Sequence, residues 1–271
     1  MAAGRVPPTA PSPHNAAMPA PYAHSSVDDP GIVTLTVSGD KGINIIGTPA
    51  ILALTQALAD LRERPGLRVL VLRGAGDRAF IGGADIAEMA TLTPATAEAF
   101  ITRLKDLCAA VHGFPVPVIA RLAGWCLGGG LEVAMACDLR IAAHGAQFGM
   151  PEVKVGIPSV IHAAMLPRLV GPSAAAWMLL TGDTFDAASA QRQGLVQRLV
   201  ALDALDASVM QTARQLAALG PRVLRQQKAL LRSWSDLPLD QAVERSVAEF
   251  AHAYSTGEPQ QFMQRFLQRK V

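Results

Sequence analysis

Runs of apolar residues, alternating or continuous, predict where the first strands and the first helix lie. The stretch GIVTLTVSG (31–39) alternates apolar with small polar residues and predicts a strand, and the apolar run LRVLVLRG (67–74) predicts a buried one. Between them, TPAILALTQALADLRERPG (48–66) carries apolar residues at helical spacing. It predicts a helix with Thr48 as its N-cap and Pro49 in its first turn.

The alternation continues with a helix at 96–113, a strand within 114–124 and a strand at 138–143. Strands that alternate with helices predict an α/β domain in which helices cover the faces of the sheets. Beyond about residue 160 helical patterns dominate, at 161–170, 172–180, 186–193, 202–219, 221–234, 238–255 and 258–270. The prediction is therefore an α/β core at 27–200 followed by a helical C-terminal region at 201–271.

Residues 1–26 are rich in alanine and proline and contain no long apolar run. A secretory signal peptide needs such a run, and the prolines oppose an amphipathic transit helix. We interpret this segment as a disordered tail, or as the product of a start codon placed upstream of Met18.

Composition and charge limit the classes of partner. Half of the 271 residues are hydrophobic and 17% are charged, which excludes a largely disordered or fibrous protein. A net charge of +2 gives no electrostatic reason to expect nucleic acid or an anionic membrane as a partner. The cysteines Cys108, Cys126 and Cys137 match no zinc-binding spacing, and their odd number favours a reducing, cytoplasmic compartment.

The segment AFIGGADIAEM (79–89) places two small residues just before a predicted helix. Asp85 followed three residues later by Glu88 fits a capping box, so the helix is expected to begin near Asp85. The N–H groups of Gly83 and Ala84 then lie at a helix N-terminus, where backbone donors and the helix dipole favour an anion or a polarised oxygen.

A second glycine segment, GWCLGGGLEVAMACD (124–138), follows the strand within 114–124 and precedes a helix predicted from about Leu131. Two helix N-termini that converge on one point would form an oxyanion hole. The alternative is that the glycines only allow close packing of strand against helix.

Two glutamates lie near these glycines in the sequence. Glu132 falls in the first turn of the second helix with apolar neighbours on both sides, which favours burial over the alternative role of an exposed helix-dipole partner. Glu152 lies in AQFGMPEVKVGIP (146–158), a segment too rich in glycine and proline to predict regular structure. Two carboxylates on either side of one water would suit general acid–base catalysis, although a lone loop glutamate is usually just solvated.

These stretches together resemble the enoyl-CoA hydratase/isomerase (crotonase) family, over about residues 31–270. AFIGGADIAEM resembles the family's first oxyanion segment. GWCLGGGLEVAMACDLRIAAHGAQFGMPEV resembles the second together with both acidic positions, and LPRLVGPSAAAWMLLTGDTFDAASAQRQGLVQRLV resembles the start of the helical half.

The resemblance implies an α/β fold, a crotonase-like superhelix of repeated ββα units, with a C-terminal helical region that forms homotrimers or hexamers. It implies an acyl-CoA thioester substrate whose carbonyl oxygen is held by the N–H groups of Ala84 and Gly129. Glu132 and Glu152 take the two acidic positions that add water to a 2-enoyl-CoA. No metal or redox cofactor is implied, because coenzyme A belongs to the substrate.

The resemblance also marks out residues that we expect to contact substrate, and places where the chain departs from the family. The expected contact residues are Gly83, Asp85, Ile86, Gly128, Pro151, Val160, Ile161 and His162. The family's glycine-rich IPGAGGTQRL is IPSVIHAAML here, so bulky residues replace small ones and are expected to reshape the acyl pocket or move Glu152. Near the N-terminus only Lys41 and Asn44 fit a segment that the family places beside the CoA nucleotide.

Other functions stay open on the sequence. An enoyl-CoA isomerase would use one of the two glutamates to shuttle a proton, and a thioester hydrolase or another acyl-CoA-transforming crotonase is a further enzymatic alternative. A non-catalytic binding paralogue is the alternative of another class. Retention of both glutamates and both glycine segments argues against lost catalysis.

Overall fold

The computed structural model describes residues 22–39 and 42–268. Its strands are β1 Ala23–Asp29, β2 Ile32–Val37, β3 Ile45–Ile46, β4 Val69–Gly74, β5 Ala79–Ile81, β6 Gly83–Ala84, β7 Val118–Leu122, β8 Trp125–Leu127, β9 Leu139–Ala143, β10 Gln147–Gly149, β11 Thr184–Asp186 and β12 Arg198–Val200.

The helices are α1 Thr48–Arg62, α2 Ile86–Met89, α3 Pro94–His112, α4 Gly129–Ala136, α5 Leu166–Val170, α6 Pro172–Thr181, α7 Ala187–Arg192, α8 Leu205–Ala217, α9 Pro221–Asp236, α10 Leu239–Tyr254 and α11 Glu258–Gln268. Short 3₁₀ turns lie at Pro151–Val155, Ile161–Met165 and Leu202–Ala204.

A repeated unit of two strands and a helix builds the core. Four times, a strand of the six-stranded sheet β1-β2-β4-β7-β9-β12 is followed by a short strand outside it and then by a helix. The short strands β5, β8 and β10 pair in parallel in a second sheet, while β3 pairs with β6. The predicted α/β superhelix of ββα units is therefore confirmed.

The large sheet is covered on both faces, which explains the continuous apolar runs of its strands. On one face, Leu35, Leu70 and Leu72 pack in the main core together with α1 and α3. On the other, Val69 and Ile119 pack against Leu205, Val209 and Ala213 of α8. Because α8 covers the sheet, the predicted boundary at residue 201 separates this helix from the core to which it belongs.

The predicted tail overlaps the first strand. Residues 23–26 belong to β1, which pairs antiparallel with β2 from Ala23 opposite Val37 to Asp29 opposite Ile32. The strand is an exposed edge with a mainly polar sequence, AHSSVDD, so hydrophobic periodicity does not reveal it. Residues 1–21 of the predicted tail lie outside the described residues.

Two local predictions are corrected. The N-cap of α1 is Gly47 rather than Thr48, because the Thr48 N–H and hydroxyl bond to the Glu88 carboxylate of α2. The segment 146–158, expected to be irregular, contains β10 and the 3₁₀ turn Pro151–Val155, which ends at Gly156 in a left-handed conformation.

The last three helices extend from the core and are anchored to it by α9. Buried Lys228 donates to Asp138 at 2.7 Å and to the Val116 carbonyl at 2.9 Å, and Asp138 also accepts the Val118 N–H at 2.7 Å. Burial lowers the pKa of Lys228 from its usual range, and the Asp138 charge opposes that shift. Beyond this anchor, α10 and α11 expose large apolar side chains, among them Leu239, Val243, Val247, Phe250, Phe266 and Leu267.

In the described segments, no helix has both the length and the apolar character needed to cross a bilayer.

Candidate active site

A cavity of about 670 Å³ lies between α2, α3, the N-terminus of α4 and the 3₁₀ turn Pro151–Val155. Most of the predicted site residues line it: Gly83, Ala84, Ile86, Gly128, Gly129, Glu132, Pro151, Glu152 and Val160. The remaining wall is largely apolar and includes Met89, Leu92, Phe100, Ile101, Leu104 and Ile157. The two glycine segments, far apart in sequence, therefore share one pocket.

The first glycine segment is fixed to its surroundings by two carboxylates. Asp85 caps α2 by accepting the N–H groups of Ala87 at 2.8 Å and Glu88 at 3.2 Å. Glu88 does not complete the predicted capping box, because its carboxylate accepts the Thr48 N–H of α1 and the Asp85 N–H donates to the Ile46 carbonyl. Residues 83 and 84 are thus held between β3 and α2.

The second glycine segment begins α4 two residues earlier than predicted, at Gly129. Gly128 is the N-cap, with φ 52° and ψ −125°, a conformation that favours glycine, and a Cβ there would collide with Oε1 of Glu152. At Gly130 a Cβ would collide with the Ile81 carbonyl, so the glycine allows α4 to lie against β5. As the first helical residue, Gly129 has an N–H without an intrahelical partner, and this residue lines the cavity.

Glu132 is a buried carboxylate in the first turn of α4. The residue is 3% exposed, and Oε1 accepts the Ala163 N–H at 3.0 Å. Burial raises the pKa of Glu132 from 4.5 to about 8, against the bond from Ala163 and with a smaller contribution from the Glu152 charge. Glu132 is therefore a group that exchanges a proton near neutral pH, which suits an acid–base catalyst.

Glu152 lies in the 3₁₀ turn that follows β10, opposite the N-terminus of α4. Its Oε2 accepts the Ser159 hydroxyl at 2.8 Å, and its Oε1 faces Gly128. The charge of Glu152 acts on the pKa of Glu132, so the two carboxylates form an interacting pair. The structure thus brings together the two acids that the sequence separates by twenty residues.

Three predicted contact residues do not line the cavity. Asp85 is occupied as the cap of α2. Ile161 packs against the main core at φ 42°, an uncommon value for a β-branched residue. His162 lies half-buried with its ring 6.4 Å from that of His112. Within IPSVIHAAML, the pocket wall therefore includes Ile157, Pro158 and Val160.

The segment expected beside a CoA nucleotide is not described in full. Asn44 is completely buried, and its amide donates to the Ala79 carbonyl at 2.9 Å, so it supports β5 instead of facing a ligand. Lys41 lies outside the described residues.

Two contacts to these glutamates are not predicted from the sequence. Ser159 and the Ala163 N–H hold one glutamate each, but a serine in a loop and a backbone donor carry no motif of their own. The apolar wall from α3 was also missed, although Phe100 and Leu104 follow the helical period. Across residues 22–39 and 42–268, histidine, cysteine and acidic side chains form no cluster suited to a metal ion.

Comparison with known proteins shows that this chain is similar to enoyl-CoA hydratases. The family model described as enoyl-CoA hydratase/isomerase matches residues 29–271. A crotonyl-CoA hydratase of Syntrophomonas wolfei is 33% identical over 240 residues, which cover 88% of this chain and 92% of that protein. A probable enoyl-CoA hydratase of Mycobacterium tuberculosis is 35% identical over 245 residues, with 89% and 92% coverage.

Solved structures agree over the same length. The enoyl-CoA hydratase of Bacillus anthracis superposes with a TM-score of 0.88 at 27% identity, covering 91% of this chain and 96% of that one. The enoyl-CoA hydratase of Mycobacterium smegmatis gives 0.88 at 29% identity, with 92% and 97% coverage.

Proposed function

The chain belongs to the enoyl-CoA hydratase/isomerase family, and from that membership and the paired glutamates we propose that it reversibly adds water to a 2-enoyl-CoA thioester. Hydration is the activity named for the relatives in Syntrophomonas wolfei and Mycobacterium tuberculosis. The observation that carries the proposal is the interacting pair of Glu132 and Glu152 beside the α4 N-terminus.

The proposed oxyanion hole consists of the N–H groups of Ala84 and Gly129, one from each glycine segment. Both residues line the cavity, and the α4 dipole adds to the donor strength at Gly129. Hydrogen bonds aimed at the thioester oxygen strengthen as negative charge develops there, and donors of this kind contribute about 3–4 kcal/mol each in other enzymes.

The proposed acid–base steps move one proton through each carboxylate. Glu132 accepts a proton from water while the water oxygen bonds to C3 and the π electrons move to the thioester oxygen. Glu152 then gives its proton to C2 as the enolate collapses. Before the next turnover, proton exchange with solvent returns Glu132 to its carboxylate and Glu152 to its acid. Dehydration reverses both transfers. The reaction needs no metal or redox cofactor, and coenzyme A takes part only as a portion of the substrate.

This scheme predicts how activity depends on pH. The Glu132–Glu152 pair must carry one proton for the reaction to run in either direction. Hydration needs that proton on Glu152, and dehydration needs it on Glu132. Because addition of water releases no net proton, kcat/KM must have the same pH dependence in both directions.

Since burial raises the pKa of Glu132 to about 8, the shared proton is lost above that pH. We expect kcat/KM for both directions to fall together as pH rises through about 8, measured from initial rates at low substrate concentration. A kcat/KM that stays constant or rises through pH 8 would contradict the shared proton.

A substrate panel tests the proposed activity. Short, branched, long and aromatic 2-enoyl-CoAs are offered, and hydration is followed as loss of the conjugated thioester absorbance. The apolar wall of Phe100, Ile101 and Leu104 favours an apolar acyl chain, so turnover is expected with at least one of these compounds. Conversion of a 3-enoyl-CoA to its 2-enoyl isomer without hydration would instead assign the isomerase reaction.

The helices α9–α11 are proposed to form the interface of a homotrimer, or of a hexamer made of two trimers. Their exposed Val243, Val247 and Phe250 form an apolar surface of the kind that subunits bury. Light scattering tests this proposal, and a monomer would refute it.

A cytoplasmic location is proposed from three buried, unpaired cysteines. Cell fractionation distinguishes this location from that of the bovine relative, whose name places it in mitochondria.

A further inference from the structure

The segment that follows the 3₁₀ turn of Glu152 contains a hydroxyl with no role in the proton transfers proposed above. Ser159 donates from Oγ to Oε2 of Glu152 at 2.8 Å, in a half-buried position. Four residues later, the Ala163 N–H donates to Oε1 of Glu132 at 3.0 Å. One short stretch, 159–163, therefore contacts both carboxylates.

The two oxygens of Glu152 have different surroundings. Oε2 is engaged by Ser159, whereas Oε1 faces Gly128 at the N-terminus of α4. Gly128 and Gly129 line the cavity with Glu152, so Oε1 is the oxygen on the side of the expected thioester. A carboxylic acid can present its proton to only one atom at a time. The bond from Ser159 therefore leaves Oε1 as the oxygen that is free to carry that proton.

We propose that Ser159 is a positioning residue of the hydration reaction: its hydroxyl holds Oε2 of Glu152 so that Oε1 delivers the proton to C2. This inference rests on the proposed hydratase function. In that step the O–H bond of Glu152 breaks, its proton bonds to C2 with the enolate electron pair, and Glu152 becomes a carboxylate. The Ser159 bond strengthens at that moment because it becomes charge-assisted.

The geometry around Ser159 is set by the backbone. The Ile157 N–H bonds to the Glu152 carbonyl at 3.2 Å, which folds the chain back after the 3₁₀ turn. Pro158 then fixes φ one residue before Ser159, and so limits the directions from which the hydroxyl can approach. The hydroxyl is thus presented to Glu152 by a short, constrained loop.

The test compares Ser159→Ala and Ser159→Gly, which lack the hydroxyl, with Ser159→Thr, which keeps it. Hydration of an accepted 2-enoyl-CoA is run in heavy water, and the configuration at C2 of the product is determined by NMR. Removal of the hydroxyl is expected to lower kcat roughly 10- to 100-fold, with KM within about twofold. The deuteron at C2 is expected to lose its single configuration, and Ser159→Thr to recover most of both losses.

A matched control is Ser233→Ala. Ser233 is also half-buried, and its hydroxyl donates to the Leu230 carbonyl within α9, away from the residues that line the cavity. It is expected to leave kcat and the configuration at C2 unchanged.

The possible outcomes separate the two proposals. Wild-type kcat and a single C2 configuration in Ser159→Ala would overturn the role of Ser159 while the hydratase function stands. Equal losses in the alanine and threonine variants, with the configuration retained, would assign Ser159 to packing and also overturn its role. A wild-type chain that hydrates no compound of the panel would refute the proposed function and this inference with it.

Discussion

Replacement of Glu132 or Glu152, the two proposed catalytic residues, by glutamine is expected to lower kcat/KM for hydration by roughly 100- to 10,000-fold, the range for loss of a positioned acid or base. Glutamine keeps the volume of the side chain and its acceptor oxygen, so the Ala163 N–H and the Ser159 hydroxyl retain partners at positions 132 and 152. What is lost is the ability to exchange a proton. Initial rates with an accepted 2-enoyl-CoA measure the effect.

The fold is expected to survive both replacements. Burial disfavours the charged form of Glu132, so ionisation of this residue destabilises the folded state increasingly between pH 4.5 and about 8. A neutral amide at this position removes that destabilisation. The melting temperature of Glu132→Gln should therefore rise relative to wild type as pH increases over this window.

Glu258→Gln is the matched control for the loss of a buried carboxylate. Glu258 is 9% exposed, accepts the Arg222 and Val223 N–H groups at the start of α9, and does not line the cavity. Its replacement should change stability without a comparable change in kcat. If Glu132→Gln and Glu152→Gln each kept the rate within a few-fold of wild type, the two-carboxylate mechanism would be wrong.

Removal of the Gly129 N–H is expected to lower kcat roughly 100- to 1,000-fold, the effect of losing one oxyanion donor. Proline at this position deletes the donor with little damage to α4, because Gly129 is the first helical residue and helices accept proline there. Both proline and alanine add a Cβ, which would lie 2.9 Å from Cδ2 of Leu104. The comparison of Gly129→Pro with Gly129→Ala therefore separates the loss of the N–H from the effect of the added Cβ.

Steady-state rates and the Kd of a non-reactive acyl-CoA distinguish the possible results. Gly129→Ala should lose only a few-fold in kcat, and the large additional loss should appear in Gly129→Pro with binding largely retained. Equal rates in the two variants would show that the Gly129 N–H does not stabilise the transition state.

The long elements could be predicted because their buried apolar residues recur at the spacing of a helix or fill a whole strand. Helix α3 buries Phe100, Leu104 and Leu107 at helical spacing, and β4 is apolar throughout because both of its faces are covered. The strands of two or three residues, such as β6 and β8, are too short to show any period and exist because neighbouring units align them. They were accordingly missed.

The site was predictable in part for a similar reason. The glycines at the start of α4 are required by local backbone geometry, and the glutamate in its first turn lies close to them in the sequence. The meeting of Glu132 with Glu152 depends on how β10 and the following 3₁₀ turn lie against α4, which only the tertiary fold decides. Ser159 could not be found in advance, because a single hydroxyl after Pro158 in a loop has no sequence pattern that sets it apart from other loop serines.

Addition of water at C3 is the step that defines the proposed hydratase, and oxygen labelling tests it most directly. The wild-type chain is incubated with the 2-enoyl-CoA panel in water enriched in heavy oxygen, and the products are analysed by mass spectrometry. The expected product is a 3-hydroxyacyl-CoA with the heavy oxygen at C3, and Glu132→Gln is expected to form almost none in the same time. Recovery of every enoyl-CoA unchanged, or heavy oxygen found instead in a free acid released from CoA, would contradict it.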